Sequence, residues 1–261
     1  MFSNKHHIVC STRHAKKSQD SAMAVSSGKY DVMLVAEHGL YLPKLESTDG
    51  WHDRMCMTMK GSYSRLSYNT NDGDSTKWNQ YGGTGVTLTA DMKSRMASKG
   101  SDPTKLGHWT WVRIEGKAGE STVFVSAYRP CKSTSGMDTV WNQHVRYYQR
   151  EREIEEPDVH DLFLKDLCKT LADFRDFGDH VVLGLDANDD VRDGKVSAAL
   201  TEIGIEEAVI KNHKGESVPA TCARNTQRKP IDSIGHLQAL MCFDADSYLS
   251  IVYMASRLTT E

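Results

Sequence analysis

Apolar runs and alternating apolar and polar positions predict the strands of this chain. Residues 31–36 are apolar from Val32 onwards and lead into Glu37 and a glycine turn, which is typical of a buried strand. Two alternating runs within 108–130 are joined through residues 116–120, and they predict a hairpin that Pro130 ends. Further strands are predicted at 85–89, 180–186 and 229–237.

Apolar residues at helical spacing predict two long helices between the hairpin and the next strand. In 159–177 they form one stripe, with Asp158 as the N-cap and Gly178 as the residue that ends the helix. A second helix is predicted at 138–151 and a short one near 195–204. Because strands occur both in a hairpin and beside helices, the pattern predicts a layered α/β domain with a mixed sheet.

Two stretches lack this periodicity. Residues 46–82 are punctuated by Gly, Asn, Asp and Ser, and they predict loops. Residues 1–30 are polar and poorly periodic, and they predict an irregular or poorly ordered start. No composition shift marks a linker, so residues 31–261 are expected to form a single domain.

Composition narrows the function only slightly. The chain has 261 residues and a formal net charge of −3, from 32 basic and 35 acidic residues, so no global basic field favours nucleic-acid binding. No apolar run approaches the roughly 20 residues of a membrane span, so we expect no membrane partner. The N-terminus lacks the apolar segment of a secretory signal, and the six scattered cysteines include no CxxC pair. An intracellular protein, nuclear or cytoplasmic, is therefore expected.

Polar side chains that suit a hard cation stand at or near the ends of three predicted strands. Glu37 follows the first, and Asp232 lies within the last. Asp186 and Asn188 end the strand at 180–186, and as alternate residues they can point at one ligand. Carboxylate and amide oxygens are the ligands that Mg²⁺ prefers. The same Asp-x-Asn pattern is also ordinary turn chemistry, in which both side chains bond to their own backbone.

Four motifs follow one another at the edges of predicted strands: GGTGVTL, VSAYRP, LGLDAND and KPIDSI. In this order they resemble the endonuclease/exonuclease/phosphatase superfamily, over most of the chain from about Asp31 to Ile234. The segments AEHGLYLPKL, SAYRPC and PATCARNTQRKPIDSI are most similar to the apurinic/apyrimidinic-like endonuclease domains of retrotransposons. The resemblance implies a DNase I-like α/β sandwich of two mixed sheets flanked by helices.

The resemblance also implies Mg²⁺- or Mn²⁺-assisted hydrolysis of a phosphodiester, with DNA as the partner. Glu37 matches the family's metal-binding glutamate, and Tyr128 matches a tyrosine that contacts the scissile phosphate. Asp186 matches the aspartate that activates water, and Asn188 matches the asparagine that steadies the phosphoryl group. Asp232 matches a further catalytic aspartate. Phosphate or nucleic-acid contacts are expected from four basic residues, Arg129, Arg224, Arg228 and Lys229.

The sequence departs from the family pattern at both ends. The family closes with a Ser-Asp-His strand, whereas no histidine follows His236 here. The family's first strand carries a metal-site asparagine, and here only Asn4 lies in roughly the right region. These departures leave three functions open: an endonuclease with impaired activity, a catalytically dead remnant or nucleic-acid-binding module, and a sister phosphatase acting on a small or lipid phosphate.

Overall fold

The structure is a computed structural model that describes residues 30–40, 51–71, 80–117, 119–133, 136, 139–212, 230–237 and 251–255. The strands, in chain order, are β1 (Val32–Ala36), β2 (Tyr63–Ser67), β3 (Thr84–Leu88), β4 (Met96–Ser101), β5 (Trp109–Glu115), β6 (Ser121–Tyr128), β7 (His180–Asp186), β8 (Glu206–Glu207), β9 (Asp232–Leu237) and β10 (Ile251–Ala255). The helices are α1 (Trp51–Thr58), α2 (Ala90–Ser94), α3 (Val140–Glu151), α4 (Val159–Asp176), α5 (Lys195–Glu202) and α6 (Ala208–Asn212).

The strands form two mixed sheets. The first has the order β10-β1-β3-β2, in which β10 lies parallel to β1 and the other pairs are antiparallel. The second has the order β4-β5-β6-β7-β9-β8, in which only β6 and β7 are parallel. The predicted two-sheet α/β sandwich is therefore confirmed. The β5–β6 hairpin is also confirmed, with Trp109 opposite Ala127 and Glu115 opposite Ser121.

Apolar side chains fill three layers between these elements. The two sheets face each other across a cluster that includes Val32, Val86 and Phe124. The other face of the six-stranded sheet is covered by α4 and α5, and the predicted stripe of α4 is buried there. The other face of the four-stranded sheet is covered by α1. The layers are thus helix, sheet, sheet, helix.

The prediction of loops over residues 46–82 is wrong in part. Helix α1 and strand β2 lie within this stretch. Trp51, Met55 and Met59 are spaced four residues apart, and all three are buried against Met33 and Val35 of β1. The pattern does not predict α1 because these three apolar residues stand among polar ones.

The predicted ends of α4 are confirmed. The Asp158 side chain accepts hydrogen bonds from the backbone N–H groups of His160 and Asp161. Gly178 follows the helix with a φ of 93°, a conformation that glycine adopts without strain. Among the described residues, no helix is long and apolar enough to cross a membrane.

A buried ion pair ties β5 to the turn between α4 and β7. The guanidinium of Arg113 donates to both carboxylate oxygens of Asp179, at 2.9 Å from Nε and 2.6 Å from Nη2. The Asp179 side chain is fully buried and also accepts a hydrogen bond from the hydroxyl of Ser121. Arg113 additionally lies 4.5 Å from the centre of the Phe177 ring.

A strand is present near the C-terminal end of the chain. The backbone of β10 pairs with β1 along its whole length, from Val32 opposite Ile251 to Ala36 opposite Ala255. Its sequence is Ile-Val-Tyr-Met-Ala, so this strand does not carry a Ser-Asp-His motif. The chain places an ordinary β-strand beside the one that leads into Glu37.

Candidate active site

Three of the expected site residues lie in one row across the six-stranded sheet. Tyr128 at the end of β6 is the register partner of Asp186 at the end of β7. Asp186 is in turn the register partner of Asp232 at the start of β9. Residues at matching positions on neighbouring strands project from the same face of a sheet. This row therefore faces the four-stranded sheet, as Tyr128 and Phe124 do in the inter-sheet core.

Glu37 reaches the row from the other sheet. It directly follows β1, and its Oε1 accepts a hydrogen bond of 3.2 Å from the Tyr128 hydroxyl. Tyr128 is only 4% exposed and Asp186 only 1%. Burial, followed by the charges of Glu37 and Asp186, holds the pKa of Tyr128 well above its usual value. The hydroxyl thus stays protonated and remains a donor at neutral and moderately alkaline pH.

The backbone around Glu37 is held in an unusual conformation. Glu37 has a φ of 54°, in the left-handed region that a glutamate rarely adopts. The next residue, His38, is buried, and its ring bonds at Nε2 with the carbonyl of Ser67 and accepts at Nδ1 from the N–H of Leu40. A Cβ on Gly83 would lie 2.4 Å from the ring of His38, so only glycine fits there. Together these contacts hold the backbone that follows Glu37.

The His38 contacts lead to a prediction about acid stability. Burial lowers the pKa of His38 to about 4 from 6.5, against the opposing effect of the Ser67 hydrogen bond. Between these two values the unfolded chain binds more protons at this site than the folded chain, so the free energy of unfolding falls as the pH falls. The loss from His38 alone is about 3 kcal/mol and levels off below pH 4.

Urea denaturation at several pH values between 4 and 7 measures this loss. His38→Gln keeps a donor and an acceptor but removes the titration, so its free energy of unfolding should depend less on pH. The matched control is His52→Gln, which makes the same substitution at an exposed histidine. An unchanged pH dependence in His38→Gln would contradict the assignment.

Asn188 and Arg129 bind each other's backbone in this structure. The Asn188 amide donates to the carbonyl of Arg129 at 2.6 Å, and its Oδ1 accepts from Cys131 Sγ at 2.8 Å. Asn188 has a φ of 45°, which asparagine tolerates better than most residues. Its backbone N–H also lies 3.4 Å from Asp186 Oδ1, so the turn chemistry noted in the sequence is present here.

The guanidinium of Arg129 faces away from the row of carboxylates. It is 4% exposed and donates to the carbonyls of Ala187 and Asn188. Burial lowers the pKa of Arg129, and the carboxylates that oppose this effect are Asp189, Asp158 and Asp161. This placement favours a role in holding the loop after β7 over a direct contact with phosphate.

The remaining expected residues lie outside the described residues. Arg224, Arg228 and Lys229, expected to contact nucleic acid, are in 213–229, and Asn4 is in 1–29. Their contribution to the site stays a prediction from the sequence.

The donor atoms fit a hard divalent cation better than zinc. Within the described part of the chain, no group of three or more His, Cys, Asp or Glu side chains forms a ready metal cage. The carboxylate of Glu37 contacts the Tyr128 hydroxyl, and Asp186 is the register partner of Tyr128, so acids from two sheets lie beside one tyrosine. Magnesium takes one or two carboxylates and keeps several waters, whereas structural zinc takes four nitrogen or sulfur ligands. The residues present fit Mg²⁺ or Mn²⁺.

Comparison with solved structures identifies the architecture. A Neisseria 3' phosphatase bound to a product DNA hairpin is 12% identical with a TM-score of 0.53, covering 88% of this chain and 84% of that one. An AP endonuclease from Archaeoglobus fulgidus is 14% identical with a TM-score of 0.53, covering 87% and 83%. The chain has the endonuclease/exonuclease/phosphatase fold. A mannosyl-6-phosphatase from Bacteroides thetaiotaomicron shares this fold, at 12% identity and a TM-score of 0.53, over 86% of this chain and 77% of that one.

Sequence comparisons give no match. No family model matches the chain, and no curated protein matches it. The likeness to solved structures therefore shows the endonuclease/exonuclease/phosphatase fold and no more.

Two groups that position the site were not predicted from the sequence. The hydroxyl of Ser126 donates to the carbonyl of Val35 at 2.7 Å and joins the two sheets of the endonuclease/exonuclease/phosphatase fold two residues before Glu37. The other group is His38 with Gly83. The Gly82–Gly83 pair was a visible signal, since adjacent glycines mark a place where the backbone needs positive φ, here 84° and 85°.

Proposed function

We propose that this protein is a metal-dependent phosphodiester hydrolase that cleaves nucleic acid, with DNA as its substrate and a retroelement endonuclease as its origin. The observation that carries the proposal is that Glu37, from one sheet, contacts Tyr128, whose register partner in the other sheet is Asp186. The ordered motifs support the nucleic-acid branch. The DNA hairpin bound by the Neisseria phosphatase and the name of the Archaeoglobus AP endonuclease point the same way.

The side chains of the row have distinct tasks in such a reaction. Asp186 is a buried carboxylate fixed at a strand end, which suits it to orient water and accept its proton. Tyr128 keeps its proton and donates to Glu37, so it aligns that carboxylate and offers a hydroxyl beside the position of a phosphoryl oxygen. Asn188 and Arg129 keep the loop after β7 in place. Asp232, opposite Asp186, adds negative charge that favours a bound cation.

Glu37 would hold Mg²⁺ or Mn²⁺ through its carboxylate, with Asp186 or Asp232 as the second ligand. When bound, such a cation supplies charge stabilisation at a phosphoryl oxygen and at the leaving group. The Tyr128 hydrogen bond orders Glu37 for this task because it holds Oε1 in place beside the tyrosine.

A phosphatase acting on a small or lipid phosphate is the second candidate. The mannosyl-6-phosphatase shares the fold at the same TM-score as the nucleic-acid enzymes, so the fold alone does not choose between them. The third candidate, a nucleic-acid-binding remnant without turnover, is favoured because β10, the strand beside β1, consists of Ile-Val-Tyr-Met-Ala and carries no Ser-Asp-His motif.

The proposed activity predicts Mg²⁺-dependent nicking of supercoiled plasmid by the purified protein. We expect open circles to form with Mg²⁺, none with EDTA, and recovery when Mg²⁺ is added in excess over EDTA. Gel electrophoresis measures the rate, and a phosphoinositide phosphate-release assay runs in parallel. Phosphate release without nicking would favour the second candidate. A cooperatively folded protein inactive in both assays would contradict the proposed hydrolysis and favour the third.

A further inference from the structure

The segment that leaves the Tyr128 strand is clamped at two consecutive carbonyls. The Asn188 amide donates to the carbonyl of Arg129 at 2.6 Å. The ring of His160 bonds at Nε2 with the carbonyl of Pro130 at 2.8 Å, and burial lowers the pKa of His160, which favours the neutral ring. These side chains come from the loop after β7 and from α4. The clamp therefore fixes the position of the backbone that leads to Lys132 relative to the candidate active site.

Lys132 and Trp141 form an exposed pair next to this clamp. Lys132 is exposed, and its Nζ lies 5.8 Å from the centre of the Trp141 ring. Trp141 is only partly buried, and its ring packs at 81° to the ring of His160, with 4.8 Å between the ring centres. The pair thus combines an exposed positive charge with an aromatic ring that packs against His160.

The helix that carries Trp141 begins against the catalytic tyrosine. A Cβ on Gly82 would lie 3.3 Å from Val140, the first residue of α3, and 3.6 Å from the ring of Tyr128. Tyr128 and Val140 belong to the same buried cluster. Trp141 follows Val140 directly, so both members of the pair lie a few residues from side chains packed around Tyr128.

We propose that Lys132 and Trp141 form a strand contact that binds the nucleotide next to the scissile phosphate. The ammonium group pairs with a backbone phosphate, and the indole stacks on an unpaired base. Proteins that bind single strands combine aromatic platforms with cations in this way, because every base offers a π-face. The inference rests on the proposed function and deepens it by assigning a substrate with an accessible base.

A pair of the same type elsewhere serves as the matched control. Lys99 lies 4.5 Å from the centre of the Tyr63 ring. Tyr63 is aligned with Leu88, and Leu88 with Val32 at the start of β1, whereas Glu37 follows the end of that strand. The control pair is therefore at the opposite end of the four-stranded sheet from Glu37. We expect Lys99 and Tyr63 to form a solvated cation–π pair that binds no ligand.

Fluorescence anisotropy of a labelled single-stranded oligonucleotide in EDTA tests binding without cleavage. Trp141→Leu should weaken binding about 5- to 100-fold, while Trp141→Phe should restore most of it. Lys132→Ala should lower the slope of log K against log salt by about 0.7, the value for one phosphate contact on a single strand. Tyr63→Leu and Lys99→Ala should leave affinity and slope at wild-type values. Thermal melting verifies that each variant is folded.

These binding measurements test the strand contact independently of the proposed hydrolysis. Wild-type affinity in folded Trp141→Leu, an equal loss in Tyr63→Leu, or no oligonucleotide binding by the wild type would each overturn it. The expected pattern in a protein that nicks no plasmid would support the strand contact and contradict the proposed hydrolysis.

Discussion

Asp186→Asn should lower the rate of plasmid nicking by roughly 10²–10⁴-fold, the usual contribution of a general acid–base group. Asparagine has nearly the same shape as aspartate but does not accept a proton from water, and it adds no charge to hold a cation. Its Oδ1 can still accept the hydrogen bond from the N–H of Asn188, so the turn after β7 should persist. Initial rates at saturating Mg²⁺ measure the effect.

The control for this substitution lies in the same loop. Asp193 is exposed, so Asp193→Asn makes the same change in charge without touching the carboxylate row. It should nick plasmid at the wild-type rate. If Asp186→Asn kept a rate close to that of Asp193→Asn, the assignment of Asp186 to the chemistry would be wrong.

Arg113→Met should lower the free energy of unfolding by about 3–5 kcal/mol, because it leaves the buried Asp179 carboxylate without its cation. For a domain of this size such a loss corresponds to a fall in Tm of about 6–20 °C. Ser121 still donates one hydrogen bond to Asp179, but a hydroxyl does not replace the charge. Urea denaturation and calorimetry measure both quantities.

Two further variants separate the ion pair from other causes. Arg113→Met combined with Asp179→Leu should recover much of the lost stability, since a buried ion pair is often replaced by apolar residues at little cost. Arg150→Met removes a cation from an exposed pair with Glu151 and should cost less than about 1 kcal/mol. A loss in Arg113→Met no larger than that in Arg150→Met would contradict the argument.

The sequence predicted the elements in which burial imposes a strong pattern. The apolar run leading to Glu37 is β1, and the stripe on 159–177 is α4, because each buries a continuous face. Strand β4, at the edge of its sheet, was missed because its Met-Ala-Ser-Lys-Gly-Ser sequence has little β-propensity. Its conformation comes from pairing with β5, a tertiary contact that no local pattern contains.

The sequence predicted the acidic residues of the candidate site but not the residues that position them. Glu37, Asp186 and Asp232 were visible because carboxylates at strand ends interrupt apolar runs. The hydrogen bond from Ser126 to the Val35 carbonyl could not be predicted, because it depends on how two sheets stack. The role of Arg129 was also not predictable from the sequence. Its position next to Tyr128 did not show that its guanidinium bonds to the carbonyl of Ala187.

The pairing of β10 with β1 also decides which strand lies at the edge of the four-stranded sheet. Every residue of β1 is buried, and the strand reads Val-Met-Leu-Val-Ala without a charge or a proline. Such a segment at an open sheet edge would offer unpaired N–H and C=O groups to a second chain and promote aggregation. By pairing with β1, β10 takes the edge position itself and keeps the strand that leads into Glu37 from templating a contact between copies.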